Sequence, residues 1–192
     1  MNQDNKEYAE RREIAWKIAD KLGTTYDKNS VGLFIWARVP ENIKNVDVFV
    51  SKAAEEVLVM YKKKGKISKD IKIYKDNSAS SVSVGKFYKG TYHTLVMAPT
   101  SSNTVAKCVY GISDSLASNI FAQAGKCKVF CIYFPCDTAP ELKTFAPSGY
   151  VDVFPREIDL ENVKKLKKFS QTDVVMSFKD LEKKVIRRNN SV

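Results

Sequence analysis

Apolar positions along this chain follow two rhythms in alternation, one of period two and one near 3.6. Val46, Val48 and Val50 occupy every second place of VDVFVS, which predicts a strand with Ser51 at its carboxyl end. From Ser51 the spacing turns helical through KAAEEVLVMY. Thr94 to Ala98 and Val129 to Phe134 are short, nearly continuous apolar runs, the pattern of central parallel strands covered on both faces. Between them Val105, Val109, Ile112, Leu116 and Ile120 recur at steps of four, three, four and four, which predicts one buried face of a single long helix. Further on, Tyr150 to Phe154 reads as a strand, Asp159 to Phe169 as a capped amphipathic helix, and Asp173 to Met176 as another short strand. Ser177 and Asp180 offer a capping start to a last helix ending near Arg188. Near the beginning, Arg12 to Ala19 is read as a first strand and Val31 to Val39 as a separate apolar run.

Strand–helix alternation with short connections predicts an α/β fold: a doubly wound, Rossmann-like or flavodoxin-like, mostly parallel sheet in three layers. With 192 residues, 44% of them hydrophobic, the expectation is one domain over residues 1–192, with loose ends at 1–12 and 189–192. No apolar run approaches the roughly 18 residues of a membrane span, and the first stretch lacks the apolar core of a secretory signal, so a cytoplasmic protein is expected.

In such sheets ligands bind beyond the carboxyl ends of the strands. Ser51 and the turn Pro99-Thr100-Ser101-Ser102-Asn103-Thr104 both fall at such ends, so the pattern directs them to one crevice. The turn gathers four hydroxyls and a carboxamide at a predicted helix start. Backbone N–H groups there lack partners and the helix dipole is positive, which favours a phosphate or an electron-rich heterocycle.

Charge changes this picture little. The net charge is +10, with the densest basic run from Lys62 to Lys75. That run lacks the interleaved aromatics of single-strand binders, so it reads as a solvated loop and helix surface, or a weak attractor of anionic substrates, and not as a nucleic-acid site. Cys108, Cys127, Cys131 and Cys136 fit no zinc or common iron–sulfur spacing, and no metal site is expected. Cys108 and Cys131 fall in a helix and a strand, as small buried hydrophobes do. No Gly-x-Gly-x-x-Gly occurs, which disfavours a dinucleotide-binding domain.

With these residues in hand, the chain resembles the FMN flavoproteins of the homo-oligomeric flavin-containing Cys decarboxylase superfamily. That group includes phosphopantothenoylcysteine decarboxylase, lantibiotic cysteine decarboxylases and flavin prenyltransferase, and it carries a Pro-Ala-Ser-Ala-Asn-Thr turn that PTSSNT resembles. Closer still is the archaeoflavoprotein and dihydromethanopterin reductase subgroup. VDVFVSKAAEEVL, GKFYKGTYHTLVMAP, NTVAKCVYGISDSLASN, IYFPCDTAPE and VFPREIDLENV carry that resemblance.

The resemblance implies FMN as cofactor, with Ser51 on its phosphate and Pro99, Thr100, Ser101, Ser102, Asn103 and Thr104 holding phosphate, ribityl chain and ring edge. Family members open with a strand and a Gly-Ile-Thr-Gly turn. Here Lys17 stands at the matching place, so either it neutralises the phosphate or this wall of the pocket is rearranged. Cys136 and Asp137, beyond the next strand, are expected on the substrate side or in a loop role. Asp114 and Asn119 are expected in packing or subunit contacts. The implied function is an FMN-dependent oxidoreductase passing electrons from a reduced donor, ferredoxin-like or NAD(P)H, to a pterin-like small molecule. The implied assembly is a trimer or dodecamer of copies. A non-catalytic FMN electron carrier is the alternative. A decarboxylase or flavin prenyltransferase relative is the second, weakened because the Pro-x-Met-Asn motif reads Pro135-Cys136-Asp137 and the one histidine, His93, falls at the wrong end of its strand.

Overall fold

The most deeply buried strand is β4 (Phe130–Pro135), whose Ile132 and Tyr133 are fully enclosed. It is rich in aromatic and β-branched residues, which suit a pleated surface packed on both sides. A computed structural model describes residues 46–60, 71–76, 82–146 and 149–191 of the chain. Within them β3 (Thr94–Thr100), β4 and β7 (Thr172–Val174) form a parallel sheet in the order β3-β4-β7. β1 (Asp47–Val50) and β2 (Lys72–Lys75) form a second parallel pair. Helices α1 (Lys52–Met60), α2 (Ser102–Val109), α3 (Leu116–Lys126), α4 (Glu157–Leu166) and α5 (Phe178–Asn189) alternate with the strands, giving the expected α/β architecture. No helix of the described residues is long and apolar enough to cross a membrane. The proposed first strand at Arg12 to Ala19, the apolar run at Val31 to Val39 and Lys17 lie outside the described residues.

One core joins the elements. Val105 and Cys108 of α2, Leu116, Ile120 and Ala124 of α3, Cys131 and Tyr133 of β4, and Val163 and Leu166 of α4 are all buried and in contact. Leu95 and Met97 of β3 pack against them, whereas Val96 and Ala98, on the other face, are exposed. β3 is therefore covered on one face among the described residues, and the layer expected over its other face is not among them.

Three expectations are corrected. The single long helix is two: α2 ends at Val109 and α3 begins at Leu116. Gly111 takes a φ of +73°, its N–H bonds the Cys108 carbonyl, and the Ile112 N–H bonds the Lys107 carbonyl at 2.8 Å. This is a Schellman stop, which the absence of a Cβ on Gly111 makes inexpensive. Ile112 is consequently outside, 48% exposed. Ser115 and Ser118 then restart the helix through a reciprocal capping box. Second, Lys72–Lys75 of the basic run is strand β2, with Tyr74 stacked on Phe49 of β1 at 4.9 Å between ring centres. Third, Tyr150 to Phe154 does not join the parallel sheet. β6 (Gly149–Val153) pairs antiparallel with β5 (Leu142–Ala146) as a separate ribbon between β4 and α4.

A second polar feature ties the two parallel sheets together at the amino ends of their strands. A 3-10 segment, Val82–Phe87, brings Lys86 to Asp47 of β1 at 2.9 Å and to the Tyr74 hydroxyl, while the Tyr92 hydroxyl donates to the same Asp47 carboxylate. Phe87 and Tyr92 rings lie 4.8 Å apart beside Phe49. Burial pushes the Asp47 carboxyl upward, but the Tyr92 and Lys86 hydrogen bonds outweigh it and hold the group below its ordinary value.

Candidate functional site

Parallel strands end together, so β1, β2, β3 and β4 deliver Ser51, Asp76, Ser101 and Cys136 to the carboxyl edge of their sheets. β1 stops at Val50, and Ser51 caps α1: its Oγ accepts from the Ala54 N–H at 3.2 Å and its carbonyl from Glu55 at 2.9 Å. Asp76 binds back to this corner through its N–H to the Val50 carbonyl, and its carboxylate accepts from Leu116 at the start of α3, 3.4 Å away. Neither the Ser115–Ser118 box nor Asp76 was singled out in the sequence. The signal was there, since an Asp one residue past a strand and two serines three apart before an apolar helix are both capping chemistry.

The PTSSNT stretch is more compact than a loop. β3 runs through Thr100, its pairing with β4 shifting register between Met97 and Thr100 across a cis Ala98–Pro99 peptide. Pro99 and Ala98 are both exposed within this last part of the strand. Thr100 is buried, and its Oγ1 donates to the Met97 carbonyl at 2.7 Å. Ser101 alone separates strand from helix. It caps α2, its Oγ accepting from the Thr104 N–H at 3.4 Å and lying 3.1 Å from Thr104 Oγ1. Ser102 opens α2 and donates its hydroxyl to Asp137 Oδ2. Asn103 is exposed on the first turn. The amides of Ser102 and Asn103, at the first two helical positions, have no carbonyl a turn earlier to bond.

Beyond β4 the Cys136 N–H donates to the Thr100 carbonyl at 3.0 Å, so the exit of β4 is laced to the end of β3. Burial of the thiol, and then the Asp137 carboxylate, push Cys136 up to about 11, although the residue as a whole is exposed. At neutral pH it is a thiol, not a nucleophile. Arg156, the cap residue of α4, forks onto Asp159 with Nε to Oδ2 at 2.9 Å and Nη2 to Oδ1 at 2.8 Å, and its charge also acts on Asp137. Three segments therefore meet here: the start of α2, the exit of β4, and the start of α4.

The structure thus gathers Pro99 to Thr104 with Cys136 and Asp137, and sets Ser51 at the same edge. His93 stands exposed just before β3, at the opposite end, with its Nδ1 2.8 Å from Thr94 Oγ1 and its carbonyl accepting from Arg188. Asp114 is an exposed partner of Lys107 at 2.9 Å on the loop between α2 and α3. Among the described residues no cluster of His, Cys, Asp or Glu is arranged to hold a metal.

Chemically, this edge offers hydroxyls, helix-start amides and a carboxamide on a basic chain. That set suits a phosphate and the polar rim of a flat heterocycle, and among the described residues it provides no nucleophile–base pair.

Comparison with known proteins agrees with this chemistry. The flavoprotein family model matches residues 38–189. The chain is 32% identical over 148 residues to an uncharacterised protein of Methanocaldococcus jannaschii, covering 74% of this chain and 79% of that one. It is 40% identical over 132 residues to a dihydromethanopterin reductase (acceptor) of Methanosarcina mazei, covering 65% of this chain and 54% of that protein. A dihydromethanopterin reductase of M. jannaschii matches at 35% over 113 residues, with 46% of its length covered. The chain spans about half the length of these two reductases. Among solved structures, Burkholderia xenovorans DmrB in complex with FMN, a cubic protein cage for redox transfer, superposes with a TM-score of 0.68 at 44% identity, over 78% of this chain and 83% of DmrB. Phenylacrylic acid decarboxylase from Aquifex aeolicus, at 23% identity and a TM-score of 0.53 over 71% of this chain and 67% of its own, shares the fold.

Proposed function

The chain belongs to the flavoprotein family, and from that premise we propose that it binds FMN at the carboxyl edge of its sheets and works as an FMN-dependent reductase. The observation that carries the reading is the start of α2: a helix capped by Ser101 directly at the end of β3, with Ser51 capping α1 at the same edge. Bound FMN would supply the electron transfer, since its ring accepts and releases electrons without help from a nucleophile. The protein's residues have the simpler tasks. The Ser51 hydroxyl, whose oxygen accepts from Ala54, would hold the phosphate. Ser101 and Thr104 would hold phosphate and ribityl oxygens, and Asn103 the ring edge. Pro99 and Thr100 would supply backbone to the ring side of the site. Cys136 and Asp137 would line the side from which substrate approaches. The residues fit the group: an all-hydroxyl and amide cradle satisfies a phosphate without a bulky side chain blocking the ring.

Supporting the acceptor side of this reading are the two dihydromethanopterin reductases, which favour a pterin-like small molecule as the substrate; a ferredoxin-like or NAD(P)H donor completes the proposal. The same reading has the protein assemble with copies of itself, as the cage of DmrB favours, and act in the cytoplasm. The deciding experiment has two stages. Titration of the purified protein with FMN should quench the flavin's fluorescence with one equivalent per chain. The loaded protein, reduced by dithionite without air, should then be reoxidised by a dihydropterin. Binding without pterin-dependent reoxidation would leave an electron carrier, and absence of binding would defeat the proposal.

A further inference from the structure

The hydroxyls at this edge differ in where their single protons go. A serine or threonine hydroxyl has one proton and two lone pairs. Ser51 Oγ accepts from the Ala54 amide, and no group among the described residues takes its proton, which leaves it for a ligand. Ser101 and Thr104 share one contact, 3.1 Å long, in which one of the two donates, so one proton of the pair is available. Thr100 has committed its proton to the Met97 carbonyl, and it is buried. Ser102 has committed its own to Asp137 Oδ2. An ionised carboxylate holds only lone pairs and returns no proton, so Ser102, half-buried at the start of α2, faces a ligand as an acceptor.

That distinction separates the two parts of a phosphorylated heterocycle. A phosphate is itself acceptor-only, so against Ser102 lone pairs would meet lone pairs. A ring N–H would be bonded, and by an oxygen made more basic through its donation to a charged group. The arrangement is braced. Cys136 bonds the Thr100 carbonyl at 3.0 Å, which fixes the exit of β4 beside the start of α2, and Arg156, clamped by Asp159, interacts electrostatically with the Asp137 carboxylate.

We propose that Asp137 sets Ser102 as a reader of ring N–H groups, so that this position selects the flavin's heterocycle and leaves the phosphate to Ser51 and the Ser101–Thr104 pair. The inference rests on the FMN reading above. It makes Asp137 a positioning residue, acting through Ser102.

FMN and riboflavin differ by the phosphate, so their affinities for the full chain, measured side by side by fluorescence titration, separate the two roles. Ser102→Ala is expected to weaken both ligands by the same factor, about three- to tenfold, the size of one hydrogen bond. Ser51→Ala is expected to weaken FMN and leave riboflavin unchanged. Asp137→Ala frees the Ser102 proton and is expected to raise the preference for FMN over riboflavin. If Ser102→Ala weakens FMN alone, or changes neither ligand, the proposal is overturned. Nitrogen-15 NMR of FMN labelled at its ring nitrogens reads the contact directly: the ring N–H signal should move in Ser102→Ala and Asp137→Ala, and an unmoved signal overturns the proposal even where riboflavin binds too weakly to titrate. Failure of the unaltered protein to bind either flavin would instead remove the FMN reading beneath it.

Discussion

The two polar clusters of this protein sit at opposite ends of the same strands and are built on opposite terms. At the amino ends, Asp47, Lys86, Tyr74 and Tyr92 close on one another, with donors matched to a shared carboxylate and aromatic rings packed around them. At the carboxyl ends, Ser51, Ser101 and Thr104 satisfy only their helix starts among the described residues, and Asn103 is exposed. A cluster that answers its own hydrogen-bonding needs stabilises the fold, because exposing any member strands the others. One that leaves donors turned to solvent has capacity for a ligand. The difference separates a brace from a site more clearly than residue type does, since both clusters are made of ordinary polar side chains.

Substitutions at the two ends should therefore part stability from binding. The largest change in stability is expected from Asp47→Ala, which leaves Lys86 and the Tyr92 hydroxyl without their shared acceptor and unties the 3-10 segment from β1. Its urea midpoint should fall further than that of any variant at the crevice, while the folded fraction still binds FMN. Loss of FMN binding with little change in the midpoint would reverse the assignment. Acid should report on the same brace. Asp47 has a folded value below its ordinary 3.8, so its contribution is in full above that value and disappears as pH falls through the lower folded one. Urea midpoints of the native chain should drop below about pH 4 more steeply than those of Asp47→Ala.

At the other end the effects are smaller in stability and larger in binding. Ser101→Ala removes the cap of α2 and should cost about 1 kcal/mol by urea unfolding. It should also weaken FMN roughly tenfold, about 1.4 kcal/mol, in a fluorescence titration. Asn103→Ala touches an exposed side chain, so its stability should stay within about 0.5 kcal/mol of the native chain. A several-fold loss of FMN affinity with that unchanged midpoint would place the carboxamide at the ring edge, and equal affinity would remove it from the site. The mildest expectation is chemical. With its thiol pushed up to about 11, Cys136 should react slowly with iodoacetamide at pH 8 and faster as the pH approaches that value.

Much of the scaffold was legible in the chain because its signals are local. The period-two run to Val50, the apolar run of β4 and the serine caps before α2 and α5 each depend on residues a few positions apart. The break between α2 and α3 was legible too, in Gly111 followed by Ser115, but an unbroken apolar period obscured it. Periodicity records which residues would share a face if the helix continued, and it is silent on whether the backbone does continue.

What the chain determined alone, then, is a series of strands and helices with hydroxyls at the turns. Folding decided the rest, because it depends on contacts between distant residues. Ser102 and Asp137 lie 35 positions apart, and Tyr92 and Asp47 lie 45 apart. A hydroxyl reads the same in a sequence whether its proton faces solvent or a carboxylate. Only the approach of the β4 exit to the start of α2 settles which groups remain free for a ligand, and that approach is set by the packing of the core beneath them.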